Sequence, residues 1–219
     1  DIGGESTRPG APAVSLREER RRVLPVIEAL ADCGVPLSVD TQKPELMREA
    51  VAAGVSMVND VNGFEEPGAL AAVADGDAAV CIMHKQGSPR TMQAAPSYDD
   101  VVREVNDYLA QRIEAALKAG IARERIVIDP GFGFGKTLEH NLALLRGLRL
   151  FTAHGVPVLA GISRKTMLGQ LTGRAPADRV HASVAAALLA ADNGAVMVRV
   201  HDVAATRDGL RVWQAVRQP

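Results

Sequence analysis

Short β-branched runs separated by longer stretches of helical periodicity recur along almost the whole sequence, and this alternation restricts the chain to parallel βαβ units. The predicted strands are Pro36–Asp40, Ser56–Asp60, Ala79–His84, Ile126–Asp129, Val156–Ile162 and Ala195–His201. Helical patterns fill the intervals. Ser15–Asp32 opens on a Ser15-x-x-Glu18 capping box, and Pro44–Ala53 has its proline early and Gly54 just past its end. Ser97–Ala119 repeats apolar residues at Val101, Val105, Tyr108, Leu109, Ile113 and Leu117 before Gly120, and further patterns cover roughly Leu138–Ala153, Ala177–Asn193 and Thr206–Val216. Pro25 is expected to shift or kink the first helix, because it lacks an amide donor and its ring crowds the preceding turn.

No Ser/Gly linker divides the chain, so residues 1–219 read as one domain. A (β/α)8 barrel uses ~250 residues, about 31 per unit. At 219 residues this chain is one or two units short. It opens on Asp1-Ile2-Gly3-Gly4-Glu5, which reads as the end of a strand and the loop after it. The expected fold is therefore an α/β (β/α)8 TIM barrel without its first strand and loop, through a trimmed or incomplete sequence.

Composition removes other classes. With 47% hydrophobic and 23% charged residues the chain can bury a core, which excludes disorder. Its 25 Lys+Arg against 26 Asp+Glu leave no general field for nucleic acid or an anionic membrane. The longest nearly apolar run, Ala182–Ala191, is about half the ~20 residues that span a bilayer. A cytoplasmic protein with neither nucleic-acid nor membrane partners is expected. Cys33 and Cys81 have no metal or disulfide spacing and read as packing residues.

Polar residues collect where a barrel does its chemistry. Asp40, Asn59, Asp60, His84, Asp129, Arg199 and His201 close predicted strands, and Lys165 follows another. In a parallel barrel those ends meet at one rim. Any one of them reads equally well as a helix cap, but eight together predict a pocket. Arg199 and His201, two apart, share one face of a strand and suit an anionic group such as a diphosphate. Arg8 in the opening loop adds a third positive contact or is a solvated arginine. Asp40, Asn59 and Asp129 suit a ligand edge rich in N–H groups, since buried carboxylates need such partners. Asp129-Pro-Gly-Phe-Gly-Phe-Gly-Lys136 fits neither the P-loop nor the dinucleotide fingerprint. It reads as a tight, mobile rim loop in which Phe132 or Phe134 walls a flat ligand, unless one of them plugs the barrel end.

That segment, with Asp1-Ile-Gly-Gly-Glu-Ser-Thr-Arg-Pro-Gly10, Ser38-Val-Asp-Thr41, Asn59-Asp60-Val61, Met83-His84-Lys-Gln-Gly87, Ser163-Arg-Lys165 and Arg199-Val-His-Asp202, closely resembles the dihydropteroate synthase family, and the likeness extends over essentially the whole chain. The resemblance implies condensation of 6-hydroxymethyl-7,8-dihydropterin diphosphate with p-aminobenzoate, by dissociative loss of diphosphate. It implies that Asp40, Asn59, Asp129 and Lys165 hold the pterin, that Arg8, Arg199 and His201 hold the diphosphate, and that Thr7, Pro9, Gly133, Phe134 and Thr166 complete the p-aminobenzoate pocket. Lys165, Asp40, Asp129 and Arg199 are the expected catalytic residues. The family also implies sulfonamides as competitors, a homodimer and Mg2+. The family's Asn-Val-Thr-Pro-Asp-Ser-Phe loop, whose asparagine ligates that metal, is not in this sequence, so Mg2+ is expected through the substrate diphosphate with no protein ligand. The alternatives are a methyltetrahydrofolate-dependent methyltransferase, which has no diphosphate to accommodate, and a catalytically silent pterin-binding protein.

Overall fold

In the computed structural model, which describes residues 1–8, 10–87 and 92–217, seven parallel strands follow one another in chain order. They are β1 (Ile2–Gly3), β2 (Ser38–Asp40), β3 (Met57–Asp60), β4 (Ala79–Met83), β5 (Ile126–Asp129), β6 (Leu159–Ala160) and β7 (Met197–Val198). The first five form one ladder and the last two another, joined by a single parallel bridge between Ile128 and Val158. Helices α1 (Leu16–Leu30), α2 (Pro44–Ala52), α3 (Ala69–Ala74), α4 (Val101–Lys118), α5 (Leu138–Arg146), α6 (Thr166–Thr172) and α7 (Val180–Asp192) run between the strands, and α8 (Val203–Arg217) follows β7. This is the α/β architecture of a (β/α)8 barrel, with seven strands among the described residues. No ladder among those residues joins β7 to β1; the Arg199 side chain crosses that interval to Asp1 and Asp40.

Each strand divides its side chains between two surroundings. Val39, Val58, Val80, Ile82, Ile126 and Ile128 point outward into the main core, shared with the buried faces of the helices. Met57, Cys81, Val127 and Leu159 form a separate apolar layer. The registers place Asp40 level with Asn59, and Met83 level with Asp129. Side chains two apart share a face of a strand. Asn59, Met83, Asp129 and Gly161 therefore each stand one inward-facing step beyond their own strand's member of the apolar layer, toward the C-terminal rim.

α1 continues past Pro25 as one helical element. Several local expectations are corrected. Ser15 caps α1 by accepting from the Glu18 N–H, but the Glu18 carboxylate turns to Arg21 and Arg22 instead of closing the box, and these guanidinium groups pull its pKa down to about 2. α4 starts at Val101, because the Asp100 carboxylate takes the Val102 and Arg103 N–H groups and ends the loop there. Cys81 is buried as expected, but Cys33 is exposed in the turn after α1, where its thiol contacts the Val35 carbonyl.

The loop after β1 is anchored by buried charge. Glu19 of α1 is fully buried; Lys43 bonds one of its oxygens at 2.5 Å and also pairs with Glu5, while Glu19 Oε1 has no partner among the described residues. Removing one member of a buried pair leaves a charge that water cannot reach. Lys43→Met is therefore expected to lower stability by about 2 kcal/mol, below the usual range for such a break because Lys43 keeps some contact with solvent. A reduced urea midpoint at unchanged slope is the measurement.

Candidate active site

The polar layer above the apolar plug holds the site. Asp40 is 7% exposed, Asn59 3% and Asp129 5%. Asn59 Oδ1 is buried and has no hydrogen-bond partner among the described residues, which leaves it free to accept from an N–H donor. Burial pushes both carboxyls up from the ordinary carboxylate range. Arg199 opposes this at Asp40, and Lys165 followed by the Gly131 N–H opposes it at Asp129. Asp129 Oδ1 accepts that Gly131 N–H at 2.7 Å.

Cations border the carboxylates. Arg199 Nη2 reaches Asp40 Oδ2 at 2.7 Å and also pairs with Asp1. Gly161 lies between the two halves: a β-carbon there would stand 3.7 Å from Arg199 Cβ and 3.9 Å from Asp129 Oδ2. Lys165 donates to the Phe132 carbonyl and sits 4.4 Å from the centre of the Phe134 ring. Burial first, and Arg199 after it, bring the Lys165 ammonium down to about 8 against the support of Asp129. Its direction is set by Arg164, a non-glycine residue at φ 58°. Such a residue persists only where its surroundings over-determine it. Here the Arg164 N–H donates to Ser183 Oγ at 3.0 Å, its guanidinium makes two bonds to Asp202, and Arg179 donates to its carbonyl.

His201 Nδ1 lies 3.0 Å from Ser163 Oγ. Burial, and then the charges of Arg164, Arg8 and Arg199, hold its pKa below the usual histidine value, with Asp202 opposing. The structure thus brings Arg8, Arg199 and His201 toward one region, but not as a shared strand face. β7 stops at Val198, Arg199 turns to the carboxylates, and His201 turns to Ser163.

Two expected rim residues point elsewhere. Asp60 follows Asn59 directly and so faces away from it; its carboxylate accepts the Asn62 and Phe64 N–H groups at 2.8 and 2.7 Å, with a pKa pushed up to about 7 by burial. His84 is buried against Tyr108 and Lys136. The two phenylalanines divide their work. Phe132 is 1% exposed and packs into the main core between strands and helices, so it does not plug the barrel end, whereas Phe134 stands half-buried beside Lys165. Gly133 between them has φ 80°, and a β-carbon there would lie 3.1 Å from Lys165 Cδ, so only glycine fits without strain. Thr7 lines a small cavity with Asp40 and Thr41, and exposed Thr166 opens α6 directly after Lys165. Pro9 lies outside the described residues. Sequence reasoning missed Asn141, whose side-chain oxygen accepts the Gly133 N–H at 2.6 Å; a lone asparagine inside a helix gives no signal of that contact.

Residues 1–201 match the family model described as pterin binding enzyme. The Escherichia coli (strain K12) dihydropteroate synthase is 51% identical over 216 residues, which cover 98% of this chain and 77% of that protein. The chain belongs to the dihydropteroate synthase family. Solved dihydropteroate synthases share the fold closely. That of Xanthomonas albilineans with 4-aminobenzoic acid superposes with a TM-score of 0.95 at 59% identity, covering 100% of this chain and 79% of that one. That of Yersinia pestis in a sulfonamide drug complex does so at 0.96 and 46%, covering 99% and 79%.

Proposed function

We propose that residues 1–219 form one pterin-binding domain that condenses 6-hydroxymethyl-7,8-dihydropterin diphosphate with p-aminobenzoate, giving 7,8-dihydropteroate and diphosphate in folate biosynthesis. The observation that carries the reading is the buried Asn59 Oδ1, unpartnered among the described residues, level with Asp40 and on the same side of the sheet as buried Asp129. A flat amino-pyrimidine edge, rich in N–H donors, answers all three groups. Lys165 completes this edge and faces Phe134, where Thr7, Gly133, Phe134 and Thr166 would hold p-aminobenzoate. Sulfonamides would compete for that subsite, as the Yersinia pestis complex supports by family likeness.

The electrostatics favour a dissociative order. The bond between the pterin methylene carbon and the diphosphate oxygen breaks first, its electron pair leaving with the diphosphate toward Arg8, Arg199 and His201. The methylene cation is delocalised into the dihydropterin, and Asp40 and Asp129 favour the positive charge. The anilino nitrogen then attacks with its own lone pair and releases its proton afterward, so no strong base is required.

Magnesium, which the family implies, meets a poor donor set. Among the described residues no group of three or more His, Cys, Asp or Glu side chains could hold it, and the carboxylates nearest the cationic end are engaged, Asp1 and Asp40 by Arg199 and Asp202 by Arg164. We place any Mg2+ on the diphosphate oxygens, and no step here runs through it. Exposed Leu189 on α7 and Val212 and Val216 on α8 support a homodimer through those helices. No helix among the described residues is long and apolar enough to cross a membrane. Unbridged Cys33 and Cys81 fit the reducing conditions of the cytoplasm.

A diphosphate-release assay with p-aminobenzoate omitted and then restored tests the reading. Diphosphate is expected from the pterin substrate alone, with dihydropteroate only once p-aminobenzoate is added. Release that depends strictly on p-aminobenzoate overturns the dissociative order, and no product with both substrates overturns the assignment.

A further inference from the structure

The loop between β5 and α5 is seated on the segment that follows β4, and one buried lysine joins the two. Lys136 is 3% exposed, and its Nζ reaches the Gly131 carbonyl at 2.9 Å, the Phe134 carbonyl at 3.0 Å and His84 Nδ1 at 2.9 Å. His84 is itself held edge-on to Tyr108, with ring centres 4.9 Å apart. Gly131 packs so tightly on the His84 backbone that a β-carbon there would fall 1.8 Å from its carbonyl oxygen. Further along, Tyr98 Oη donates to the Gly135 carbonyl at 2.9 Å. The Lys136 nitrogen therefore ties both ends of a turn whose middle is Phe132 and Gly133, and none of its bonds reaches Asp40 or Asn59.

Burial, with the nearby Lys165 charge, holds the Lys136 pKa well below the ordinary amine value. A charged ammonium donates to all three partners. A neutral amine donates to the two carbonyls and accepts from the Nδ1–H tautomer of His84, so every bond is satisfied in either form.

We propose that Lys136, seated on His84, is a positioning residue for the second substrate: it fixes the turn so that Gly133 and Phe134 face Lys165, and thereby sets affinity for p-aminobenzoate while touching neither substrate. The inference rests on the function proposed above, which places p-aminobenzoate against Phe134.

The test compares Lys136→Met and Lys136→Gln with the unaltered protein, measuring kcat, KM for each substrate and the thermal midpoint. Loss of these bonds in Lys136→Met is expected to raise KM for p-aminobenzoate about tenfold while KM for the pterin diphosphate stays within about twofold. Lys136→Gln, whose amide can still donate to two carbonyls, is expected to recover at least about a third of the lost affinity. Both KM values rising together, a lower thermal midpoint with unchanged KM values, or a glutamine variant no better than methionine would each overturn the proposal. If Lys136→Met does not fold, Tyr98→Phe removes one bond to the same loop. A rise of about threefold in KM for p-aminobenzoate alone then supports the proposal, and no selective rise overturns it. Failure of the unaltered protein to make dihydropteroate would instead refute the function.

Discussion

Asp129→Asn should lower kcat/KM for the pterin diphosphate by about a hundred- to a thousandfold, the roughly 3–4 kcal/mol expected when one partner of a buried charge pair in a complex is neutralised. The substitution leaves the local backbone its anchor. The side-chain oxygen of the introduced asparagine can still accept the Gly131 N–H that Asp129 Oδ1 takes at 2.7 Å, so the turn after β5 is kept. What disappears, on the proposed function, is a negative charge that favours the methylene cation, together with one acceptor for the pterin edge. Initial rates at subsaturating pterin diphosphate, beside an unfolding curve for the variant, separate this loss from misfolding. A change under about fivefold would remove Asp129 from the binding edge.

The second large effect concerns Lys165. Lys165→Met should lower kcat/KM about a hundredfold, because the ammonium both ties the Phe132 carbonyl and faces Asp129 across the site. It should also have a pH signature. With a pKa lowered to about 8, the side chain is charged below that pH and neutral above it. Activity that needs the cation is therefore full below pH 8 and declines as pH rises through it. Lys165→Arg keeps its charge far above that range, so its residual activity should stay level where the unaltered protein declines. A high-pH limb of the kcat/KM profile that is the same in both proteins would assign the decline to another group.

How far the site was legible depended on the period of the strand. Asp40, Asn59 and Asp129 stood at strand ends in the sequence, and alternation sends them inward above Met57, Cys81 and Val127. The same alternation carries Asp60 outward, but two adjacent polar residues at a strand end cannot be sorted until the register is known. Phe132 and Phe134 posed the same problem in a loop, where no period applies, and only packing separates the core residue from the one beside Lys165. α3 and α6, with 6 and 7 residues, were too short to show helical periodicity. Lys136 read as the last letter of a motif, since nothing in its sequence neighbours announces a partner 52 residues earlier.

Arg199 and Asp40 meet although they stand 159 positions apart in the chain. Closing so long a segment carries a large entropic cost, and the contact exists only once β7 has formed. During synthesis on the ribosome, the five-strand ladder that carries Asp40, Asn59 and Asp129 emerges well before Arg199 does. The acidic half of the rim is thus made before its counter-charge, which a nascent chain gains only when β7 and the residue after it have emerged.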